Sequence, residues 1–180
     1  MPRPRAQVDF ALLVPVFARS GVERASVDEL ARACGLAKPT LYERVGGKEE
    51  LFRATATAAL ERMLDRLYDA ADRTRYAGVA ERLTALGLEL ADCDTASARL
   101  VLVVEAAPAS LARLRAAIAD PLRRDSGLAS AAADAVAAAL LGAFTLAVAS
   151  DERFDADALT ALLAAGVAVE PEAPAPHWGA

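Results

Sequence analysis

The chain has 180 residues, about a quarter of them alanine, with 55% apolar, 5% aromatic and 25% charged side chains and a net charge of −5. Alanine is the best helix former and a poor strand former, so the composition points to an all-α protein of one or two small domains. The only histidine, His177, sits near the C-terminus, and the cysteines Cys34 and Cys93 form no CxxC pair; this excludes histidine-based triads and gives neither a metal-ligand pattern nor a disulfide framework.

The first helix is expected from about Ala6 to Arg19, with Phe10, Leu13, Val14 and Phe17 on one face, Pro15 disturbing it and Ser20-Gly21 ending it. Ser26 followed three residues later by Glu29 reads as a capping box, and Val27, Leu30, Ala31 and Cys34 form the apolar stripe of a short second helix stopped by Gly35. A third short helix begins after only Gly35-Leu36-Ala37, with Pro39 in its first turn and Leu41 and Val45 facing inward. Gly46-Gly47 break it, and Lys48 opens a long helix to about Arg73 with the stripe Phe52, Thr55, Ala59, Leu60, Met63, Leu64, Leu67 and Ala71. Five more helices are placed at about 78–91, 95–106, 109–119, 127–149 and 155–168, about nine in all. Breaks are expected at Asp92-Cys93-Asp94, Pro108, around Pro121 and at 150–155, and residues 170–180 read as a disordered tail. The five aliphatics Leu100–Val104 read as buried helix, because alternation long enough for a sheet is missing.

Charge is uneven: nine basic and seven acidic side chains precede residue 55, and the acidic excess lies after it. A basic head on an acidic body suits an anionic partner at the N-terminal end. Two short helices joined by a glycine-containing three-residue turn match a helix-turn-helix, about residues 26–45. Its second helix presents Lys38, Thr40, Tyr42, Glu43 and Arg44; such a helix fits the DNA major groove, with cations and hydroxyls suited to phosphates.

The run Ala33-Cys34-Gly35-Leu36, Lys38-Pro39-Thr40-Leu41-Tyr42 and Gly46-Gly47-Lys48-Glu49-Glu50-Leu51-Phe52 resembles the tetracycline-repressor (TetR) family of bacterial transcriptional regulators. Departures are Val45 in place of a frequent phenylalanine, Ala37 and Gly47 in place of serine caps, and the acidic Glu43. The resemblance implies a helix-turn-helix DNA-binding domain over 1–54 and a helical regulatory and dimerisation domain over 55–169. It implies DNA contacts from Ser26, Lys38, Pro39, Thr40, Tyr42, Glu43, Arg44 and Lys48, of which Ser26 is first a helix cap. Candidate pocket residues for a small-molecule effector are Met63, Leu67, Leu86, Leu90, Leu100 and Val104. The last two helices are expected to pair with their copies in a homodimer through Leu140, Leu141, Phe144, Val148, Leu159, Leu162 and Leu163. The function implied is a ligand-responsive repressor on a palindromic double-stranded operator, cytoplasmic, with no cofactor, metal, membrane or enzymatic role.

The competing reading is an all-helical interaction module or small-molecule binder without DNA binding. It leaves the Lys38–Lys48 pattern unexplained. Asp151/Glu152 and Asp155/Asp157 read as loop and helix-start charges, not a catalytic pair, and Gly47-Lys48 lacks the glycine and strand of a phosphate loop. Asparagine is absent and Gln7 is the only glutamine, so the usual adenine readers are missing from the recognition helix and G·C-rich half-sites are expected.

Overall fold

A computed structural model describes residues 8–168, so the tail expected at 170–180 lies outside the described residues. Among them every regular element is helical: α1 (Val14–Arg24), α2 (Val27–Ala33), α3 (Lys38–Val45), α4 (Lys48–Arg73), α5 (Val79–Ala91), α6 (Thr95–Arg99), α7 (Pro108–Ser126), α8 (Ser130–Ser150) and α9 (Ala156–Ala168).

The N-terminal expectation needs one correction. Asp9 Oδ1 accepts the Ala11 N–H at 3.0 Å and starts a 3-10 turn over Phe10–Leu13. Pro15 then falls in the first turn of α1, where its missing N–H costs nothing, so it starts the α-helix and does not interrupt it. Gly21, at φ 63° and ψ −176°, breaks the helical path where Ser20-Gly21 were expected to, and one further turn follows it.

α4 spans 26 residues, roughly 39 Å at 1.5 Å per residue, and is the strut between the two ends of the molecule. Its N-terminal half packs on α1, where Phe17 and Phe52 meet edge to face at 5.3 Å. Its C-terminal half packs on α5 and α7. Leu64 and Leu67 of α4, Leu83 and Leu86 of α5 and Leu114 and Leu122 of α7 are at most 1% exposed. Each such leucine contributes about 1.5–3 kcal/mol by leaving water. One continuous core thus runs from Val8 to Val148.

Two elements differ from the expected helices. Residues 95–106 begin as α6, capped by Asp94 Oδ1 on the Ser97 N–H at 2.8 Å, but widen into a π-helical stretch over Leu100–Glu105 that ends at Ala106, φ 43°. This stretch lies against α1, α4 and α8. The break expected around Pro121 is absent: α7 runs on to Ser126. Pro121 is buried and its carbonyl accepts Arg82 Nη1 at 2.7 Å, so tertiary contacts offset the one lost helical bond.

α8 is long and apolar enough to cross a bilayer by those measures alone, 21 residues at mean hydropathy 1.9, with 44% of the window buried inside the fold. α9 lies chiefly on α5, at Gly87. A Cβ on Gly87 would stand 2.7 Å from Thr160 Cγ2 and 3.5 Å from Ala156 Cβ. Thr160 cannot swing aside, because its hydroxyl donates to the Ala156 carbonyl at 2.7 Å in a buried site. Gly87→Ala should therefore destabilise the chain by about 1–3 kcal/mol, the usual range for overpacking. Urea denaturation at fixed chain concentration checks this; an unchanged or raised midpoint would show that α9 is not seated there.

Candidate nucleic-acid interface

The helix-turn-helix forms because Leu30, Ala31 and Leu41 are buried between α2 and α3, with Leu36 and Val45 partly buried beside them. The turn is closed by the Gly35 N–H on the Arg32 carbonyl (3.1 Å) and the Leu36 N–H on the Ala31 carbonyl (2.9 Å). Gly35 takes φ 63°, which an L side chain rarely adopts.

Ser26 is the N-cap of α2 by backbone geometry, but its side chain makes no capping bond. The capping box does not form, because Glu29 is taken by Arg19 in an ion pair across to α1. The Ser26 hydroxyl is left exposed at the start of α2. α3 likewise starts without a side-chain cap, at Ala37, with Pro39 in its first turn.

Of the expected DNA-facing residues, Lys38, Pro39, Tyr42, Glu43 and Arg44 are exposed along α3 and Thr40 is half-buried. Tyr42 keeps 39% of its surface in solvent. Two lysines have partners that sequence spacing does not reveal. Lys38 Nζ lies 2.6 Å from Asp28 Oδ1 of α2, both side chains about half exposed. Lys48 Nζ donates to the Glu23 carbonyl at 2.9 Å. A cation at the start of α4 is unfavourable for that helix, but Lys48 also meets the carbonyl end of α1, which favours it. Lys48 therefore ties α1 to α4, and its position no longer argues for a phosphate contact by itself.

Asp28 is the residue that sequence reasoning missed. It holds Lys38 in a contact that a phosphate would have to displace. Asp28→Ala should raise affinity for any DNA about two- to fivefold, the scale of one exposed pair, and more at low salt. A fluorescence-anisotropy titration reads this; weaker binding by the variant would mean that Asp28 orients Lys38 instead of competing for it.

The thiols are quiet. Burial first, then Asp9, raises the pKa of Cys34. Burial first, then Asp94, pushes Cys93 up to about 11. Both agree with a neutral, unreactive role.

In the body, the expected pocket and interface residues are mostly buried within the chain. Met63, Leu67, Leu86, Leu90 and Leu100 are at most 4% exposed and packed in the core, with Val104 half-buried beside them. None of the six is among the residues that line three cavities of the described chain, of about 810, 390 and 240 Å³. Their periodicity records burial. The cavity of about 810 Å³ is a cleft where the ends of α5 and α8 meet the starts of α6 and α9. For the interface, Leu140, Leu141, Phe144 and Val148 are 0–7% exposed within one chain. Leu159 and Leu163 are half-buried, and Leu162 is exposed.

Residues 14–55 match the family model of bacterial regulatory proteins, tetR family. No curated protein matches the chain. Among solved structures, a TetR-like transcriptional regulator from Rhodococcus sp. RHA1 is similar at 25% identity and TM-score 0.66, covering 94% of this chain and 100% of that one. The fatty acid degradation regulator FadR from Bacillus halodurans aligns at 18% identity and TM-score 0.69, covering 90% and 97%. FadR from Bacillus subtilis, solved with stearoyl-CoA, aligns at 16% identity and TM-score 0.51, covering 88% and 95%.

Proposed function

We propose that this chain is a transcription factor of the tetR family of bacterial regulatory proteins and not an enzyme, acting in the cytoplasm as a homodimeric repressor on a palindromic operator and released by a small molecule. The observation that carries this reading is α3, an exposed helix bearing Lys38, Thr40, Tyr42 and Arg44 on a head that shares its core with the body. Lys38, Thr40, Tyr42 and Lys48 are assigned to phosphates and Arg44 to a base edge, with Glu43 beside it able to accept from cytosine N4. Ser26 adds a hydroxyl at the start of α2, and Pro39 sets the approach of α3.

The dimer face is the outward side of α8 and α9. After four leucine, phenylalanine and valine side chains are assigned to the core, what α8 leaves outside, apart from Asp134 paired with Arg123, is small: Ala135, Ala138, Ala139, Gly142 and Ala149 around Leu146, which is 66% exposed. α9 adds Ala158, Ala161 and Ala165 around Leu162, 72% exposed. Small residues let helices approach closely, and two prominent leucines per chain supply apolar area. Leu162→Glu should therefore dissociate the dimer with the fold intact, whereas a charge at Leu141 should unfold the chain. Light scattering at micromolar concentration should give twice the chain mass for the wild type and one chain mass for Leu162→Glu. A monomeric wild type sinks the dimer, and a shift assay on DNA beside the gene tests the operator.

Release follows from a shared element. Thr95 and Ala98 of α6 line the large cleft, and α6 and the π-helical stretch after it pack on α1 of the head. A ligand that favours one placement of α6 shifts the population of head orientations by its differential affinity.

A further inference from the structure

We propose that the cleft at the α8–α9 corner binds a lipophilic organic cation, an apolar body carrying a single diffuse positive charge; that this cation is the effector rests on the function proposed above. The cleft holds about 810 Å³, within the roughly 300–1,000 Å³ of small-molecule sites. Its lining includes the half-buried Phe154, backed by the nearly buried Phe144, whose ring it meets at 5.1 Å and 66°, and Val148. Aromatic rings present a negative face to a cation.

The mouth has the opposite chemistry from the wall. Asp151, Glu152, Asp155 and Asp157 line it, against Arg153 as the one cation among the lining residues. Asp155 is engaged, since its Oδ1 caps α9 on the Ala158 N–H at 3.0 Å. Asp151, Glu152 and Asp157 make no ion pair among the described residues, although carboxylates elsewhere on the surface, such as Glu61 with Arg113 and Asp134 with Arg123, do. The carboxylates are not gathered for a metal either: the described residues contain no group of three or more His, Cys, Asp or Glu placed to hold one. An apolar wall beneath a net negative mouth attracts a cation with a greasy body and repels an acid or a phosphate ester.

The test is a pair of ions of the same shape and opposite charge. Calorimetric titration of the full chain with tetraphenylphosphonium should show one site per chain, at least tenfold tighter than for tetraphenylborate. Asp151→Asn with Glu152→Gln should weaken the phosphonium about tenfold without lowering the melting temperature. Asparagine, like aspartate, tolerates the left-handed backbone found at Asp151, φ 57°. Should that pair fold poorly, Asp157→Asn in the exposed first turn of α9 carries the same test, with a smaller loss. The proposal is overturned if the borate binds as tightly as the phosphonium, if the phosphonium does not bind at millimolar concentration, or if its affinity ignores the carboxylate variants. Operator release is scored separately. Charge-dependent binding without release of DNA leaves the cleft standing and removes only its role as the effector site.

Discussion

Replacing Arg82 with alanine is expected to lower the unfolding free energy by about 3–5 kcal/mol, the largest single effect on stability. Arg82 is 0% exposed, and its guanidinium is spent on backbone. Nη2 donates to the carbonyls of Thr74 and Arg75, Nε also reaches Thr74, and Nη1 donates to Pro121 across on α7. Asp125 Oδ2, itself only 13% exposed, stands 3.4 Å from Nη1 and supplies the counter-charge. One planar fork thus closes the α4–α5 loop and fastens it to α7. Alanine leaves a cavity, three carbonyls short of donors and a partly buried carboxylate with only the exposed Arg124 as its cation. Arg82→Lys should recover only part of the loss, since a single ammonium cannot serve carbonyls on both sides. Arg82→Ala combined with Asp125→Ala should cost less than the sum of the two changes, because the orphaned charge is gone. Urea denaturation at one fixed chain concentration is the measurement, since the proposed dimer would add to apparent stability. A loss under about 1 kcal/mol would mean that the loop is held by something else.

The second large effect separates phosphate from base contacts on the proposed operator face. Arg44→Ala should cost about 1–3 kcal/mol on the cognate site and relax the preference at one base position, with little change on scrambled DNA. Lys48→Ala should weaken cognate and scrambled DNA alike and reduce the salt slope by about one. Tyr42→Phe should also act on both DNAs, through one lost hydroxyl contact. Lys48 needs a control, because its bond to the Glu23 carbonyl also joins α1 to α4. Lys48→Met keeps the stem, so a matching loss of salt slope with an unchanged melting temperature assigns the effect to the phosphate. If Arg44→Ala leaves the preference intact, Arg44 does not read a base.

How far the sequence could be read depended on the range of the interactions. α4 starts and ends where the uninterrupted pattern between Gly47 and Thr74 said it would, because helix continuation is local. The two short helices and their turn were legible for the same reason: Gly35, Leu30 and Leu41 act within a dozen residues. Failures came where a distant group intervened. Glu29 left the expected capping box because Arg19, ten residues away, took it. Pro121 stayed inside a helix because Arg82, 39 residues earlier, bonds its carbonyl. The Arg82 hub itself was invisible, since its main partners are carbonyls, which every residue carries. Leucine periodicity correctly marked Met63, Leu67, Leu86, Leu90 and Leu100 as interior, but a pattern of buried residues does not say where packing leaves room. α8 is apolar on nearly every side, so sequence alone did not tell its inward leucines from its outward ones; burial in the fold did.

The most direct test of the central claim is selection from a random double-stranded DNA pool by the full chain at a stated salt concentration. The expected product is an enriched inverted repeat with G·C-rich half-sites whose centres lie on one face of the duplex, roughly one helical turn or a little more apart. Enrichment of an unrepeated or wholly A·T site would contradict the dimeric, Arg44-centred readout, and a pool that stays random would contradict operator binding itself.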